Sequence, residues 1–203
     1  MPTKSTRSAP KPTDLPKVAR TQACASPRVV KPPSKRSAAQ IRVQFASRSR
    51  LIPAAAHFRA WVRSAAKLTT GITKAKRAPN AAVLSGVTDA TDATGVIDVT
   101  IRVVTETEAH RLNRDFRGRD YATNVLTFAY APGRGDIVLC AQVLARESRA
   151  QGKTLESHYA HLTIHAMLHL LGHDHARPAE TARMESIEIR ILKRLGYQNP
   201  YAD

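Results

Sequence analysis

Cysteine is scarce in this sequence: two residues in 203, Cys24 and Cys140. Two such residues build no disulfide framework, which points to a reducing compartment. Long apolar runs are missing as well. Nothing approaches the roughly 18 residues of a membrane helix and no signal-peptide core is present, so the expectation is a soluble, cytoplasmic protein without a membrane partner. Acids are few: 16 Asp and Glu stand against 32 Lys and Arg, a formal net charge of +16. So basic a chain expects a polyanionic partner, nucleic acid before membrane, although a merely solubilising surface gives the same count. Aromatic residues make up only 5%, with a single Trp. Trp61 falls in a series with Ala54, His57, Phe58, Val62 and Ala65 at helical spacing behind Pro53. It therefore reads as core packing rather than a stacking platform for bases.

The charge is uneven. Residues 1–38 hold nine Lys or Arg and one acid, Asp14, a balance of +8 that is half of the total. The same stretch has seven of the 12 prolines and no aromatic residue. It cannot bury enough apolar surface to offset the entropy of ordering, so it is expected to be a disordered, basic, Pro-rich tail, with an RNA- or ribosome-binding arm as the functional alternative. Residues 39–203 carry the other +8 and are expected to form one domain.

Within that domain Ile41–Phe45 alternates like a half-buried strand, and a helix follows Pro53. Residues 70–95, rich in Ala, Thr, Gly and Asp, read as a polar excursion. Val96–Val104 is the strongest strand signal, dense in β-branched residues. Thr105 can cap a short helix over Glu106 to Asn113. Asn124–Phe128 and Asp136–Cys140 flank turn chemistry at Ala131–Gly135 and read as a hairpin. Helices are expected at about 141–150, at about 155–171 behind Thr154, and after Pro178 up to Gly196. The fold class is α+β: a small mixed four-stranded sheet packed with four to five helices, with a metal site at the C-terminal end of a central helix.

That site rests on His165, His169 and His175. Two histidines four apart on a helix share a face, about 6 Å apart along the axis. Gly172 can end the helix in the left-handed conformation, so that the chain turns back and brings His175 to the same ion. Three protein ligands leave one tetrahedral position open, the pattern of a catalytic zinc rather than a structural one. Nickel or copper would suit the same donors. The trio His161, His165 and His169 spans about 12 Å, too far for one ion; His161 is better placed beside a ligand or on the substrate side. His158 and His173 read as structural, with a proton relay through His161 or His173 as the alternative. Asp174 is a candidate to orient a ligand imidazole.

With these residues in place, the chain resembles the YbeY family of bacterial endoribonucleases, rRNA maturation factors, over roughly residues 40–200. The three histidines fall in Leu-His-Leu-Leu-Gly-His-Asp-His. A second block runs from Leu112 through Arg117 to Thr123-Asn124-Val-Leu-Thr-Phe128, and a third is Gly135-Asp-Ile-Val-Leu. Ala166 stands where the family usually has Gly, and His173 where Tyr is common. The resemblance implies one zinc per chain on His165, His169 and His175, with Arg117 in the same cleft and needed for activity. It also implies cleavage of single-stranded RNA, a part in maturing the 3′ end of 16S rRNA and in ribosome quality control. The implied partners are small-subunit ribosomal proteins and a ribosome-assembly GTPase.

The expected chemistry is metal-assisted phosphodiester hydrolysis, with His165 and Arg117 as the catalytic pair: His165 holds the metal, and the planar fork of Arg117 meets charge on the phosphate. Arg119 and Arg102 could hold the RNA backbone or be solvated salt-bridging residues. A zinc protease would need a Glu directly after the first ligand, and Ala166 occupies that place. A non-catalytic, zinc-stabilised assembly or RNA-binding factor stays open on the sequence.

Overall fold

The computed structural model describes residues 39–75 and 96–202. The expected tail, residues 1–38, and the larger part of the expected excursion, residues 76–95, lie outside them. The described elements run β1 (Gln40–Phe45), α1 (Ala55–Ala75), β2 (Asp98–Val104), α2 (Glu106–Arg117), β3 (Val125–Ala131), β4 (Arg134–Cys140), α3 (Ala141–Ala150), α4 (Leu155–Leu170) and α5 (Pro178–Arg194). This is the expected mixed α+β architecture, with four strands and five helices among the described residues.

The sheet order is β1-β2-β4-β3. β1, β2 and β4 are parallel, with Ile41 opposite Val99 and Ile101 opposite Ile137. β3 runs antiparallel to β4, with Val125 opposite Leu139. The period-two alternation of strand side chains splits the apolar residues between two cores. Val99, Ile101, Val103, Ile137 and Leu139 face α1, α4 and α5. Val138 and Cys140 face the other way, onto Ala109 of α2, Leu126 and Val143. The first core contains Phe58, Trp61 and Tyr159 in edge-to-face pairs, with centroids 5.0 and 5.7 Å apart, each worth about 0.5–1.5 kcal/mol beyond burial. Trp61 is 2% exposed, in keeping with its reading as a core residue.

Several expected boundaries move: β2 starts at Asp98 rather than Val96, β3 extends to Ala131, and β4 starts at Arg134. α1 continues to Ala75, so the first residues of the expected excursion are helical. α2 runs four residues past Asn113, to Arg117, and ends at Gly118 with φ +65°. Its last turn carries Phe116 at helical spacing from Ala109 and Leu112 but is otherwise polar and exposed; the left-handed glycine marks its end. The caps named from sequence are present: Thr105 accepts from the Glu108 N–H at 3.4 Å and Thr154 from the Ser157 N–H at 3.2 Å.

α4 is the central helix. Ten of its 16 residues are buried, among them Tyr159, Ile164, Met167 and Leu168, as expected of a helix packed on several sides. The β3–β4 turn docks on its C-terminal end, where the Gly133 N–H donates to Leu170 C=O at 2.8 Å. Gly135 makes that approach possible: a Cβ there would stand 2.2 Å from the Phe128 carbonyl oxygen and 2.6 Å from Leu170 Cδ2.

Candidate metal centre

His165 and His169 lie one turn apart near the end of α4, half-buried. The helix then stops as the glycine requires. Gly172 has φ +83°. Its N–H donates to His169 C=O at 2.9 Å, and the His173 N–H donates to Leu168 C=O at 3.0 Å, the bond pair of a Schellman stop. The reversed chain carries His175 back. Its backbone is fixed from two sides: the His175 N–H donates to Asp174 Oδ1 at 2.8 Å, and Thr181 Oγ1 donates to His175 C=O at 3.1 Å.

The three rings converge. Centroid separations are 4.7 Å for His165–His169, 5.4 Å for His165–His175 and 4.9 Å for His169–His175. One nitrogen from each lies within 4.8 Å of the others. The Nε2 atoms of His165 and His169 are 3.2 Å apart. Two donors at roughly 2.0–2.1 Å from one tetrahedral ion sit about 3.3 Å from each other, so this pair is already at ligand spacing. The donor set fits a metal: all imidazole, suited to zinc, nickel or copper. Burial, and then the neighbouring His165 and His175, push the His169 pKa down, which favours the neutral form that ligation needs.

The other expected residues are placed as follows. Asp174 receives the backbone N–H of His175 rather than a ring nitrogen. His161 is outside the converging trio; its Nε2 is 3.0 Å from Glu188 Oε2 and 3.1 Å from the Tyr201 hydroxyl. His158 is buried and bonds Glu147 at 2.8 Å, tying α4 to α3. Burial, with Arg183 nearby, lowers the pKa of His173. Arg117 ends α2 exposed, its Nη2 donating to Thr127 C=O at 3.4 Å. Arg119 donates to the Tyr121 hydroxyl at 2.9 Å, and Arg102 bonds Glu108 at 3.0 Å.

Glu188, on α5, escaped the sequence reading. It is fully buried, with Oε1 2.9 Å from His165 Nδ1. Burial raises its pKa, but hydrogen bonds from His161, His165 and Tyr201 outweigh that and hold it at about 2. Its signal was available: it stands between Met184 and Ile191 on the apolar stripe of α5, and an acid there needs a partner inside. A cavity of about 230 Å³ opens beside the cluster, lined by His165, His175, Thr181, Met184, Glu185, Glu188 and Tyr201. A larger one, about 570 Å³, opens at the other end of α4 around Lys153, His158 and His161.

A model of the family described as endoribonuclease YbeY matches residues 66–196. The chain belongs to the YbeY endoribonuclease family. The match begins within α1 and spans the whole histidine segment, so the resemblance seen in the sequence holds. The endoribonuclease YbeY of Aromatoleum aromaticum is 57% identical over 111 residues, spanning 53% of this chain and 72% of that protein. The endoribonuclease YbeY of Bordetella avium is 54% identical over 119 residues, spanning 54% and 74%. A solution structure of a Thermotoga maritima protein aligns with 81% of this chain and 100% of that one, at a TM-score of 0.46 and 20% identity. Among the described residues, no helix is long and apolar enough to cross a membrane.

Proposed function

We propose that this YbeY family member is a zinc-dependent endoribonuclease that hydrolyses phosphodiester bonds of single-stranded RNA. The observation that carries the reading is the convergence of three imidazoles at ligand spacing, in a chain whose relatives bear the name endoribonuclease YbeY. His165, His169 and His175 would hold one zinc ion. When bound, zinc lowers the pKa of water from about 15.7 to about 7 and so supplies a nucleophile at neutral pH.

The protein's own groups do the rest. Arg117 brings a planar fork of donors to the non-bridging oxygens, where charge gathers during displacement at phosphorus. Its one hydrogen bond among the described residues, 3.4 Å to Thr127 C=O, is weak enough to exchange for a phosphate. Arg119 and other exposed arginines of the basic chain track the RNA backbone, a contact that weakens with salt. His161, engaged with Glu188 and Tyr201, supports the cluster from behind rather than meeting RNA. Asp174 supports it through the backbone of His175.

The finer reading is maturation of the 3′ end of 16S rRNA and removal of defective ribosomes, in the cytoplasm. The partners would be small-subunit ribosomal proteins and a ribosome-assembly GTPase. Residues 39–203 would form the nuclease domain, and residues 1–38 a disordered basic tail. A net charge of +16 suits a ribosomal, RNA-rich setting.

The test is cleavage of a labelled single-stranded RNA by purified protein, with metal content measured on the same sample. Cutting by the wild type that disappears in His165→Ala, while RNA binding and the folded state persist, is the expected result. Cutting that survives His165→Ala is contaminating nuclease and overturns the reading. Zinc retention and RNA binding without cutting by the wild type would favour a zinc-stabilised assembly factor.

A further inference from the structure

Glu188 sits between α4 and the C-terminal segment with no exposed surface. Its two oxygens serve three side chains. Oε1 faces His165 Nδ1 at 2.9 Å, and Oε2 faces His161 Nε2 at 3.0 Å. The Tyr201 hydroxyl, reaching in from beyond α5, donates to Oε2. Three polar neighbours converge on two carboxyl oxygens, an arrangement satisfied when each turns an N–H or O–H toward them. For His165 this places the proton on Nδ1 and leaves the lone pair on Nε2. Nε2 is the atom that stands 3.2 Å from His169 Nε2. For His161 it engages Nε2, the nitrogen farther from the helix backbone. Tyr201 also packs edge-on against His161, with centroids 5.3 Å apart.

We propose that Glu188 is the positioning residue of the histidine cluster and that Tyr201 is its strap. The carboxylate fixes the tautomer and rotation of His165 so that Nε2 faces the shared centre. The tyrosine saturates the carboxylate and ties the C-terminal segment to it. The inference rests on the metal-binding reading given above. Neither residue touches substrate in this scheme; both act through His165.

Zinc affinity measured by competition with a chromogenic chelator tests this, together with the absorption spectrum of the cobalt(II)-loaded protein, both on the full chain. Glu188→Gln keeps the shape but presents an amide, and zinc should bind about 10–100-fold more weakly, with an altered cobalt spectrum and unchanged circular dichroism. Glu188→Asp, which keeps the charge on a shorter arm, should recover part of the loss. Wild-type affinity and spectrum in a folded Glu188→Gln protein would overturn the proposal. A wild-type protein that takes up no zinc would instead remove the metal reading beneath it. Should Glu188→Gln fail to fold, Tyr201→Phe decides, because it removes one hydroxyl from a residue 41% exposed. It should weaken zinc roughly three- to tenfold, and unchanged binding and spectrum would refute the strap.

Discussion

The two places where this chain concentrates candidate functional groups are built in opposite ways. On the α4–α5 side, His165 is held by a buried carboxylate at 2.9 Å, and His175 has its backbone pinned at both the N–H and the C=O. At the end of α2, Arg117 is exposed and held by one 3.4 Å contact to a carbonyl. A metal ligand must be in place before the ion arrives, because ligand geometry sets affinity. A guanidinium that meets a phosphate is free to find it on arrival, and its low packing costs little. In the proposed reading, the tightly held part of this site carries the metal ligands and the lightly held part meets the substrate.

The largest effect should come from breaking the rigid side. His165→Ala removes one of the three proposed ligands, and the several kcal/mol that a bound metal supplies correspond to a loss of at least about 10³-fold in RNA cleavage. Chelation of the wild type should match it, and readdition of zinc should restore only the wild type. On the lightly held side, Arg117→Ala should lower kcat by about 10²–10³-fold, the usual cost of losing a donor to developing charge, while zinc content stays at the wild-type level. Arg117→Lys should recover little of that loss, because a point charge lacks the bidentate fork. Loss of zinc in Arg117→Ala would erase the distinction between the two sides.

The rigid side was legible where its order is local. His165 and His169 sit at i and i+4, and the glycine stop at Gly172 fixes the return of His175, so helix periodicity and one left-handed residue placed all three. The fold class followed from the same kind of signal: the β-branched run of β2, the Pro and Gly punctuation around α5, the hairpin chemistry between β3 and β4. Glu188 was not legible as a site residue, since it meets His165 only across the packing of α5 on α4, 23 positions away. Its place on the apolar stripe of α5 hinted that it was buried but not against what. Asp174 was legible as a neighbour of the site but not in the bond it makes. Adjacency in sequence suggested contact with a ligand ring, whereas the side chain is used on the backbone of its neighbour. The reach of α2 to Arg117 was missed although Phe116 continues the helical spacing of Ala109 and Leu112, because the rest of that turn is charged and solvent-facing.

A middle-sized effect should sharpen the contrast at the β3–β4 turn, which is seated on the end of α4. A methyl group at Gly135 has no room against the Phe128 carbonyl and the Leu170 side chain. Gly135→Ala should cost about 1–3 kcal/mol in denaturant-induced unfolding. Because Leu170 directly follows His169, the same variant should also weaken zinc. The matching substitution Gly118→Ala, at an open left-handed position ending α2, should cost about 1–2 kcal/mol from backbone strain alone and leave zinc affinity unchanged. Equal losses of zinc in both variants would mean that the two ends of the site are mechanically one.

The smallest effect is a pH dependence carried by Tyr197 and Tyr159 on the packed side. Burial, and then the hydrogen bond its hydroxyl donates to Glu156, push the pKa of Tyr197 up to about 12, and burial raises that of Tyr159 as well. A phenol with a raised folded pKa holds its proton more tightly in the native than in the unfolded chain. The stability it contributes is therefore complete below the unfolded value of about 10 and is lost as pH rises through about 10 to 12. Tyr197 is only half-buried, so solvent screening trims its share to about 1 kcal/mol. Unfolding midpoints in urea should fall across that alkaline range in the wild type and in Arg117→Ala alike. Tyr197→Phe should start about 1 kcal/mol lower at neutral pH for want of the hydroxyl's bonds and show a shallower alkaline decline. A flattened decline in Arg117→Ala instead would place the titrating stability at the end of α2 and reverse the assignment of which side is rigid.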